Sequence, residues 1–356
     1  MKNYELTGVK ALCPVCYSQK ALLLYQVSSQ EAAQHYVLNE ANAKRFRALR
    51  LHIENLWRGN LCKVLRCANC AFSFAYPYVA GDSQFYTLAY QRTGYPIWKW
   101  EYEMTYRALG GLISQDRLMS PKLLEVGAGN GAFIKAVSPK LIPKSNILCT
   151  EYADYGLKEI EKYGVTCLPV DVRAIDGEKY KNHFDIICLF QILEHLDRLD
   201  SLFEQLSLLA KREAHLFIAV PNDRRIEFNE QHDAVLDMPP NHIGRWNRRC
   251  FEIISARHHW QVVDHKIEPE RIVSIFKQFS IYRYLRRSQL PGTVYNKIET
   301  VRSRFWRRCL QLPMVGLHAI ASLPLLRQIN PNQLGDAQWI WLKKAEANQS
   351  GAEVIA

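Results

Sequence analysis

The stretch that decides the fold spans residues 121–131 and reads PKLLEVGAGNG. Its apolar first half is typical of a short buried strand. Three glycines follow at alternate positions, Gly127, Gly129 and Gly131. Glycine allows the backbone to take positive φ and lets a ligand approach the bare main chain. The stretch therefore predicts a strand, a tight turn and a helix N-terminus, which is where nucleotide-like ligands bind in α/β folds.

Further apolar segments follow this turn at regular intervals and alternate with helical patterns. The predicted strands are residues 145–151, 165–172, 184–190 and 215–220, and a helix is predicted at 202–209. Strands that alternate with helices predict a parallel, doubly wound α/β sheet. Ligands of such sheets bind at the carboxyl ends of the strands. Glu151, Asp171 and Gln191 lie at or beside these predicted ends.

The glycine spacing separates this turn from a dinucleotide site, which would read G-x-G-x-x-G. Here the pattern is E-x-G-x-G-x-G, and the carboxylate of Glu125 suits a cationic ligand better than a pyrophosphate. The pattern resembles motif I of the class I S-adenosylmethionine (SAM)-dependent methyltransferases. Residues 191–196, which contain Leu-Glu-His, are similar to the strand-four motif of that family. The resemblance implies a Rossmann-like sheet of seven strands, SAM as the cofactor and methyl transfer as the activity.

The same resemblance implies which residues bind SAM. Glu125 would lie near the methionine end, Glu151 would bind the ribose hydroxyls, and Asp171 with Val172 would contact the adenine. The residues implied are Glu125, Gly127, Ala128, Gly129, Gly131, Glu151, Tyr152, Asp171, Val172, Phe190 and Gln191. Taken singly, Asp171 could instead cap a helix, and Glu151 could be a solvated strand end.

Four of the ten cysteines form two C-x2-C pairs, Cys13 with Cys16 and Cys67 with Cys70. Two such pairs favour a structural zinc site with four thiolate ligands. The alternative is four buried free cysteines. Cys62, His35 and His52 are candidate substitute ligands with poor spacing. Residues 67–77 resemble the amino-terminal zinc ribbon of a methyltransferase group that includes sugar C-methyltransferases and surface-polysaccharide enzymes, although Tyr17 and Ala71 stand where ribbon knuckles often have glycine.

Two histidines and one glutamate are candidate bases, because methyl transfer to a hydroxyl or carbon acid also requires removal of a proton. His195 and Glu194 follow the fourth core strand, and His242 lies in a loop after the fifth. The loop is similar to a "PPHH…W" segment of the same methyltransferase group, with Asn241 replacing one histidine. Glu194 and His195 could instead cap a helix or order SAM, and His242 could bond only to backbone. We expect Trp246 to pack rather than stack on a substrate.

Composition and charge restrict the remaining classes. The chain has 356 residues, 48% of them apolar, and a net charge of +11. It shows no N-terminal export signal, and its most apolar run, residues 309–326, is interrupted by Gln311 and two prolines. We expect a cytoplasmic protein, and peripheral contact with the inner face of the membrane is left open. Residues 271–311 hold ten Lys or Arg against one acid, and could face RNA, an anionic membrane, an anionic substrate or only solvent.

These patterns predict the domain organisation. Strand six is predicted at 260–267 and the last strand at 336–344, so that the basic segment is an insertion between them. The predicted units are a zinc-ribbon module with a helical insertion (1–80), linker or lid helices (81–120), the SAM-binding core (121–268), the basic insertion (269–334), the last strand (335–346) and a disordered tail (347–356). Aromatic side chains in 85–106 are expected mostly to pack between ribbon and sheet.

The sequence thus favours a SAM-dependent methyltransferase with structural zinc that acts on a small-molecule or glycan acceptor. Two other functions stay open. An RNA methyltransferase would use the ribbon and the basic insertion to bind RNA, whose phosphates attract Lys and Arg. A SAM-binding scaffold would have no turnover of its own. Methylation of exocyclic base amines is disfavoured, because Phe190-Gln191-Ile192 replaces the prolyl motif that such enzymes use.

Overall fold

The computed structural model describes residues 11–90, 98–115, 117–138, 140–235 and 237–345, and the predicted disordered tail lies outside them. The strands of this part are β1 (Ala21–Ser28), β2 (Leu61–Cys67), β3 (Ser73–Tyr76), β4 (Leu123–Val126), β5 (Ile147–Thr150), β6 (Thr166–Leu168), β7 (Phe184–Phe190), β8 (Ala210–Pro221), β9 (Gly244–Arg245), β10 (Trp260–Ile267) and β11 (Ala337–Lys344). The α-helices are α1 (Ser29–Tyr36), α2 (Ala43–Trp57), α3 (Ser83–Ala89), α4 (Trp100–Ser114), α5 (Ala132–Val137), α6 (Asp154–Tyr163), α7 (Gly177–Tyr180), α8 (Leu199–Leu209), α9 (Asp223–Gln231), α10 (Arg248–Arg257), α11 (Ile272–Ser288), α12 (Val294–Glu299) and α13 (Arg304–Ser322).

The larger sheet confirms the predicted α/β fold class. Its seven strands lie in the order β10-β11-β8-β7-β4-β5-β6. The five strands from β4 to β8 pair in parallel, and β11 is antiparallel to both of its neighbours. All residues of β4 are buried, as expected for a central strand covered by helices on both faces. The glycine turn therefore follows a rigid central strand.

Three predicted strands differ from the observed ones by three residues or more in length. β5 spans Ile147–Thr150, inside the predicted 145–151. β6 ends at Leu168, before the predicted end at 172. Pro169 follows it and has no N–H group to continue the ladder. β8 begins at Ala210, five residues earlier than predicted. Its pairing with β7 shifts register after Phe184, so that the first part of the strand does not follow a simple alternation.

The smaller sheet joins the amino-terminal module to the core. Its order is β1-β2-β3-β9, and β9 comes from the chain that follows core strand β8. Arg245 of β9 is 7% exposed. Its guanidinium donates to both Glu230 oxygens, at 2.8 and 2.6 Å, and to the Tyr25 hydroxyl at 2.7 Å. A capping box formed by Ser28 and Glu31 begins α1.

Helices α11 to α13 lie between β10 and β11 in the chain, where the basic insertion is predicted. Ile275 and Phe279 of α11 are buried in one apolar cluster with Phe228 of α9, and this cluster attaches the insertion to the core. The segment Arg304–Gln328 is the one helical segment of the described residues that is long and apolar enough to cross a membrane.

Candidate active site

The turn after β4 has the backbone conformation that its glycines predict. The φ angles of Gly127, Gly129 and Gly131 are +68°, +56° and +72°. L-residues with a side chain rarely adopt this region. A Cβ atom at Gly127 would also lie 2.3 Å from Cδ1 of Ile192. The turn therefore requires glycine both for its dihedral angles and for its close contacts.

Glu125 lies beside this turn with an unsatisfied carboxylate. The residue is 2% exposed, and its Oε2 atom has no hydrogen-bond partner among the described residues. Burial, and then the charge of Glu151, raise the pKa of Glu125 well above its ordinary value. A buried carboxyl group of this kind gains a partner when a cation is placed next to it. The contact of Glu125 with the methionine end of SAM stays a prediction.

Glu151 ties the glycine turn to the end of β5. Its Oε2 accepts a hydrogen bond from Gly129 N at 2.7 Å, and its Oε1 accepts one from Tyr152 N at 2.8 Å. Ala128 N donates to Thr150 O at 2.9 Å. The side chain of Tyr152 is 61% exposed. Glu151 is therefore an ordered part of the turn and not a free strand end, and its contact with a ribose stays a prediction.

Asp171 caps a short 3₁₀ turn, Val172–Ala174. Its carboxylate accepts hydrogen bonds from Arg173 N at 2.8 Å and Arg173 Nη2 at 2.6 Å. Burial raises the pKa of Asp171, but the hydrogen bonds and charge of Arg173 bring it below its ordinary value. Val172 is 2% exposed and belongs to the main apolar core. The capping alternative for Asp171 is confirmed, and the adenine contacts of both residues stay predictions.

Phe190 and Gln191 end the strand beside β4. The Phe190 ring contacts Tyr102 of α4, with 5.0 Å between ring centroids. Gln191 has a φ of +58°, and its Nε2 donates to Glu101 Oε1 at 3.1 Å. Lys99 Nζ lies 3.6 Å from the same oxygen. Helix α4 therefore supplies both an aromatic wall and a buried carboxylate at the carboxyl edge of the sheet.

The three candidate bases are brought together after β7. The rings of His195 and His242 have centroids 4.8 Å apart, and His195 Nε2 lies 3.7 Å from Glu194 Oε1. Nδ1 of His195 is 2.8 Å from the carbonyl oxygen of Asn241. A carbonyl only accepts, so Nδ1 carries the proton and Nε2 is the acceptor in the neutral ring. Burial lowers the pKa of His195 to about 3 and raises that of Glu194 to about 7.

His242 is oriented by Asp237, which sequence reasoning missed. Nδ1 of His242 donates to Asp237 Oδ1 at 2.6 Å, and both side chains are about one-fifth exposed. Burial lowers the pKa of His242, but the hydrogen bond and charge of Asp237 outweigh burial and raise it above its ordinary value. Nε2 is thereby left to accept a proton. Asp237 stands five residues before His242 in an irregular loop, and no periodic spacing links the two.

A cleft of about 460 Å³ opens at this edge of the sheet. It is lined by aromatic and charged side chains from several elements, among them Trp98, Lys99, Glu101, Gln191, Asp237 and Tyr282. Asn229, also in its lining, is 4% exposed and has an Oδ1 atom without a hydrogen-bond partner among the described residues. The cleft therefore extends from the end of β7, beside the glycine turn, to the carboxylate of Asp237, which orients His242.

The four paired cysteines converge on one point in the amino-terminal module. Sγ of Cys13 lies 3.6 Å from that of Cys70, and Sγ of Cys16 lies 3.5 Å from that of Cys67. All four sulfur atoms are within 4.8 Å of one another. A tetrahedral zinc site with Zn–S bonds of about 2.3 Å separates its sulfur atoms by about 3.8 Å. The four thiols therefore fit a zinc ion, and zinc binding itself stays a proposal.

The residues that follow the two knuckles take the backbone of the missing glycines. φ is +59° at Tyr17 and +61° at Ala71. The substitute ligands considered from the sequence have other partners: His52 Nε2 bonds to Asp82 at 2.6 Å, and His35 Nδ1 bonds to Gln289 at 2.9 Å. The thiol of Cys62 donates to a backbone carbonyl. Trp246 stacks on Phe251 with both rings fully buried, as expected.

Comparison with known proteins agrees with the fold. Residues 124–216 match the family model described as "Methyltransferase domain". This segment, 93 of the 356 residues from β4 into β8, is therefore similar to a methyltransferase domain and lies in the Rossmann-like, seven-stranded sheet. No match is found among curated proteins.

The solved structures that this chain is similar to are distant in sequence. One is a SAM-dependent methyltransferase from Archaeoglobus fulgidus, 15% identical over 68% of this chain and 94% of its own, with a TM-score of 0.43. Another is the YcgJ protein of Bacillus subtilis, 12% identical over 68% and 100%, with a TM-score of 0.41. Coclaurine N-methyltransferase is 13% identical over 68% and 71%, with a TM-score of 0.40.

Proposed function

We propose that this protein is a SAM-dependent methyltransferase that methylates a small-molecule or glycan acceptor bound in the strand-end cleft. The observation that carries the proposal is the buried carboxylate of Glu125 beside the glycine turn, whose Oε2 has no hydrogen-bond partner among the described residues. A polar cleft lies at the neighbouring strand end. A sulfonium donor that also carries an ammonium group matches this charge. When bound, SAM supplies an already activated methyl group.

The lining of the cleft supports the acceptor class. Its volume lies within the range of about 300–1,000 Å³ that is usual for small-molecule sites. Trp98 and Tyr282 offer apolar faces, while Lys99, Glu101 and Asp237 offer hydrogen-bonding groups. Sugars need both kinds of surface because their rings have apolar faces and polar edges. A polynucleotide would call for a longer basic groove.

His242 is the proposed base for an acceptor that must lose a proton. Asp237 holds the ring by Nδ1, so that Nε2 is presented in the acceptor tautomer. The nearby negative charge stabilises the imidazolium that forms when Nε2 takes the proton. His195 is a weaker base, because its burial disfavours the protonated ring. We assign it, with Glu194, to shaping the wall behind His242.

The proposal is tested by incubating the protein with methyl-labelled SAM and fractionated cell extract. Label in glycan or small-metabolite fractions that is absent with His242→Ala, while that variant still binds SAM, supports it. Label in RNA would replace the acceptor class by the RNA alternative. SAM binding without transfer to any fraction would point to the scaffold function, and absence of heat on titration with SAM would refute SAM dependence.

A further inference from the structure

Helix α13 packs onto its neighbours with its polar side. Gln311 Nε2 donates to Glu299 Oε1 of α12 at 2.6 Å, and Ser322 Oγ accepts from Arg283 Nη1 of α11 at 2.8 Å. His318 and Ser322 are its buried residues. The residues through which α13 bonds to its neighbours, and its two buried residues, are therefore polar.

The opposite side of α13 is apolar and open to solvent. Its large exposed apolar side chains are Phe305, Trp306, Leu310, Leu312, Leu317 and Ile320, which are 47–72% exposed, and Leu323, the residue directly after α13, is 50% exposed. At about 100° per residue these positions fall on one side of the helix. Only 11% of the most apolar window of Arg304–Gln328 is buried. A helix on the surface of a water-soluble protein normally turns its apolar side toward the core. A large exposed apolar patch therefore marks a contact surface.

The charged residues in the sequence of this helix are all basic. Arg302, Arg304 and Arg308 are exposed at the beginning of α13, and no acidic residue occurs in the sequence between Glu299 and Asp336. Phe305 and Trp306 lie among these arginines, and aromatic side chains are enriched at the level of lipid headgroups. Basic residues beside an apolar helical face match an anionic bilayer, which offers hydrocarbon and negative charge at the same surface.

We propose that α13 lies in the plane of an anionic lipid bilayer, with its apolar side inserted at the headgroup boundary and its polar side still docked on α11 and α12. This inference does not depend on methyl transfer. A membrane-crossing orientation would bury the Gln311 and His318 side in hydrocarbon and break its contacts with the insertion. RNA binding is disfavoured because the outward surface is apolar. The sequence pattern placed membrane contact in residues 271–311, whereas the inserted surface spans 305–323.

Flotation of the full chain with lipid vesicles tests this proposal. Vesicles of phosphatidylcholine with phosphatidylglycerol should carry the protein upward, and added salt should reduce the bound fraction. Pure phosphatidylcholine vesicles should bind it less. Leu312→Asp with Ile320→Asp should lower partitioning roughly ten-fold or more, because two inserted apolar side chains become charged. Met119→Asp is the matched control, since Met119 is 84% exposed outside the insertion.

A second pair of variants separates the electrostatic contribution. Arg304→Glu with Arg308→Glu should weaken binding to the anionic vesicles and leave binding to pure phosphatidylcholine unchanged. Lys44→Glu with Arg47→Glu, both on the exposed surface of α2, is the control for the same change in net charge. Absence of binding to both kinds of vesicle would refute the proposal. So would a wild-type dimer in solution that Leu312→Asp with Ile320→Asp converts to monomer, since a second copy would then cover this face. Unchanged melting temperatures verify that the variants fold.

Discussion

The carboxylate of Asp237 accepts a 2.6 Å hydrogen bond from Nδ1 of His242, and the same carboxylate lines the strand-end cleft. This one contact fixes the tautomer and the orientation of the His242 ring and raises its pKa. The pair therefore supports the proposed role of His242 in proton removal.

Replacing either member of this pair should reduce turnover in different ways. His242→Ala should lower kcat by about 100-fold or more, the usual contribution of a positioned general base. Asp237→Asn should lower kcat less and shift the pH profile. The base acts when neutral, so activity falls as pH drops below the pKa of His242. Without the anion that pKa is lower, and the acidic limb of kcat/KM should move to lower pH.

The control for Asp237→Asn is Asp264→Asn. Asp264 lies on β10, and its carboxylate pairs with Lys266. Its pH profile should coincide with that of the wild type. A loss of turnover in Asp237→Asn without any movement of the acidic limb would contradict the positioning role and leave only a structural one. Both variants are compared at equal SAM saturation.

SAM binding should release a proton from Glu125. Burial keeps the pKa of this carboxyl raised in the free protein, and a bound ammonium would favour the ionised form. Calorimetric titrations near neutral pH should therefore give enthalpies that depend on the ionisation heat of the buffer. Glu125→Gln should remove that dependence and weaken binding.

The same substitution should change the stability of the free protein in a defined direction. A raised pKa means that the neutral carboxyl is favoured in the folded state, so its contribution is fully present below the ordinary pKa of glutamate and is lost as pH rises through the folded value. Glu125→Gln should therefore be at least as stable as wild type at neutral pH. A clearly less stable variant would contradict the unpartnered state of Oε2.

Gly129→Arg should abolish SAM binding while the fold persists. Gly129 has a φ of +56°, and its N–H is bonded to Glu151. A long side chain at this position would occupy the proposed SAM site. Gly292→Arg is the matched control: Gly292 has a φ of +77°, and a Cβ atom added there would meet no other part of the protein within 4 Å. Both variants incur a similar backbone strain of about 1–3 kcal/mol. Equal loss of SAM affinity in both would show that strain, and not occupation of the proposed SAM site, is responsible.

Metal analysis should find zinc in the purified protein, and chelation should destabilise it. Structural zinc contributes folding free energy directly. Cys67→Ser should lose the metal and lower the melting temperature, since one of the four ligands is removed. Cys309→Ser should do neither, because that thiol is exposed on α13. Full stability of Cys67→Ser together with retention of metal would rule out the four-cysteine site.

The core sheet could be predicted from the sequence because its signals are local. The apolar run of β4 and the glycines after it determine strand, turn and helix within a few residues. The cysteine pairs are equally local, although the left-handed backbone at Tyr17 and Ala71 shows that glycine is not required there. Asp237 could not be predicted, since its partner is set by the path of an irregular loop against the core.

The outward face of α13 illustrates a second limit. Its sequence shows that apolar and polar residues separate on the helix, but not which side the protein covers. That choice depends on Glu299 and Arg283, which belong to other helices and bond to its polar side. Side-chain periodicity alone would have placed the apolar side inward.

The backbone of Ile243 has a consequence for attempts to shorten this protein. Its N–H donates to Glu194 O in the core, and its C=O accepts from Ala75 N of β3, both at 2.9 Å. The peptide next to His242 is thus held between β3 of the smaller sheet and the short 3₁₀ turn that follows β7. A version of the chain that starts after the ribbon would keep the glycine turn. It would lose the β3 contact that holds the loop around His242, and should bind SAM without transferring its methyl group.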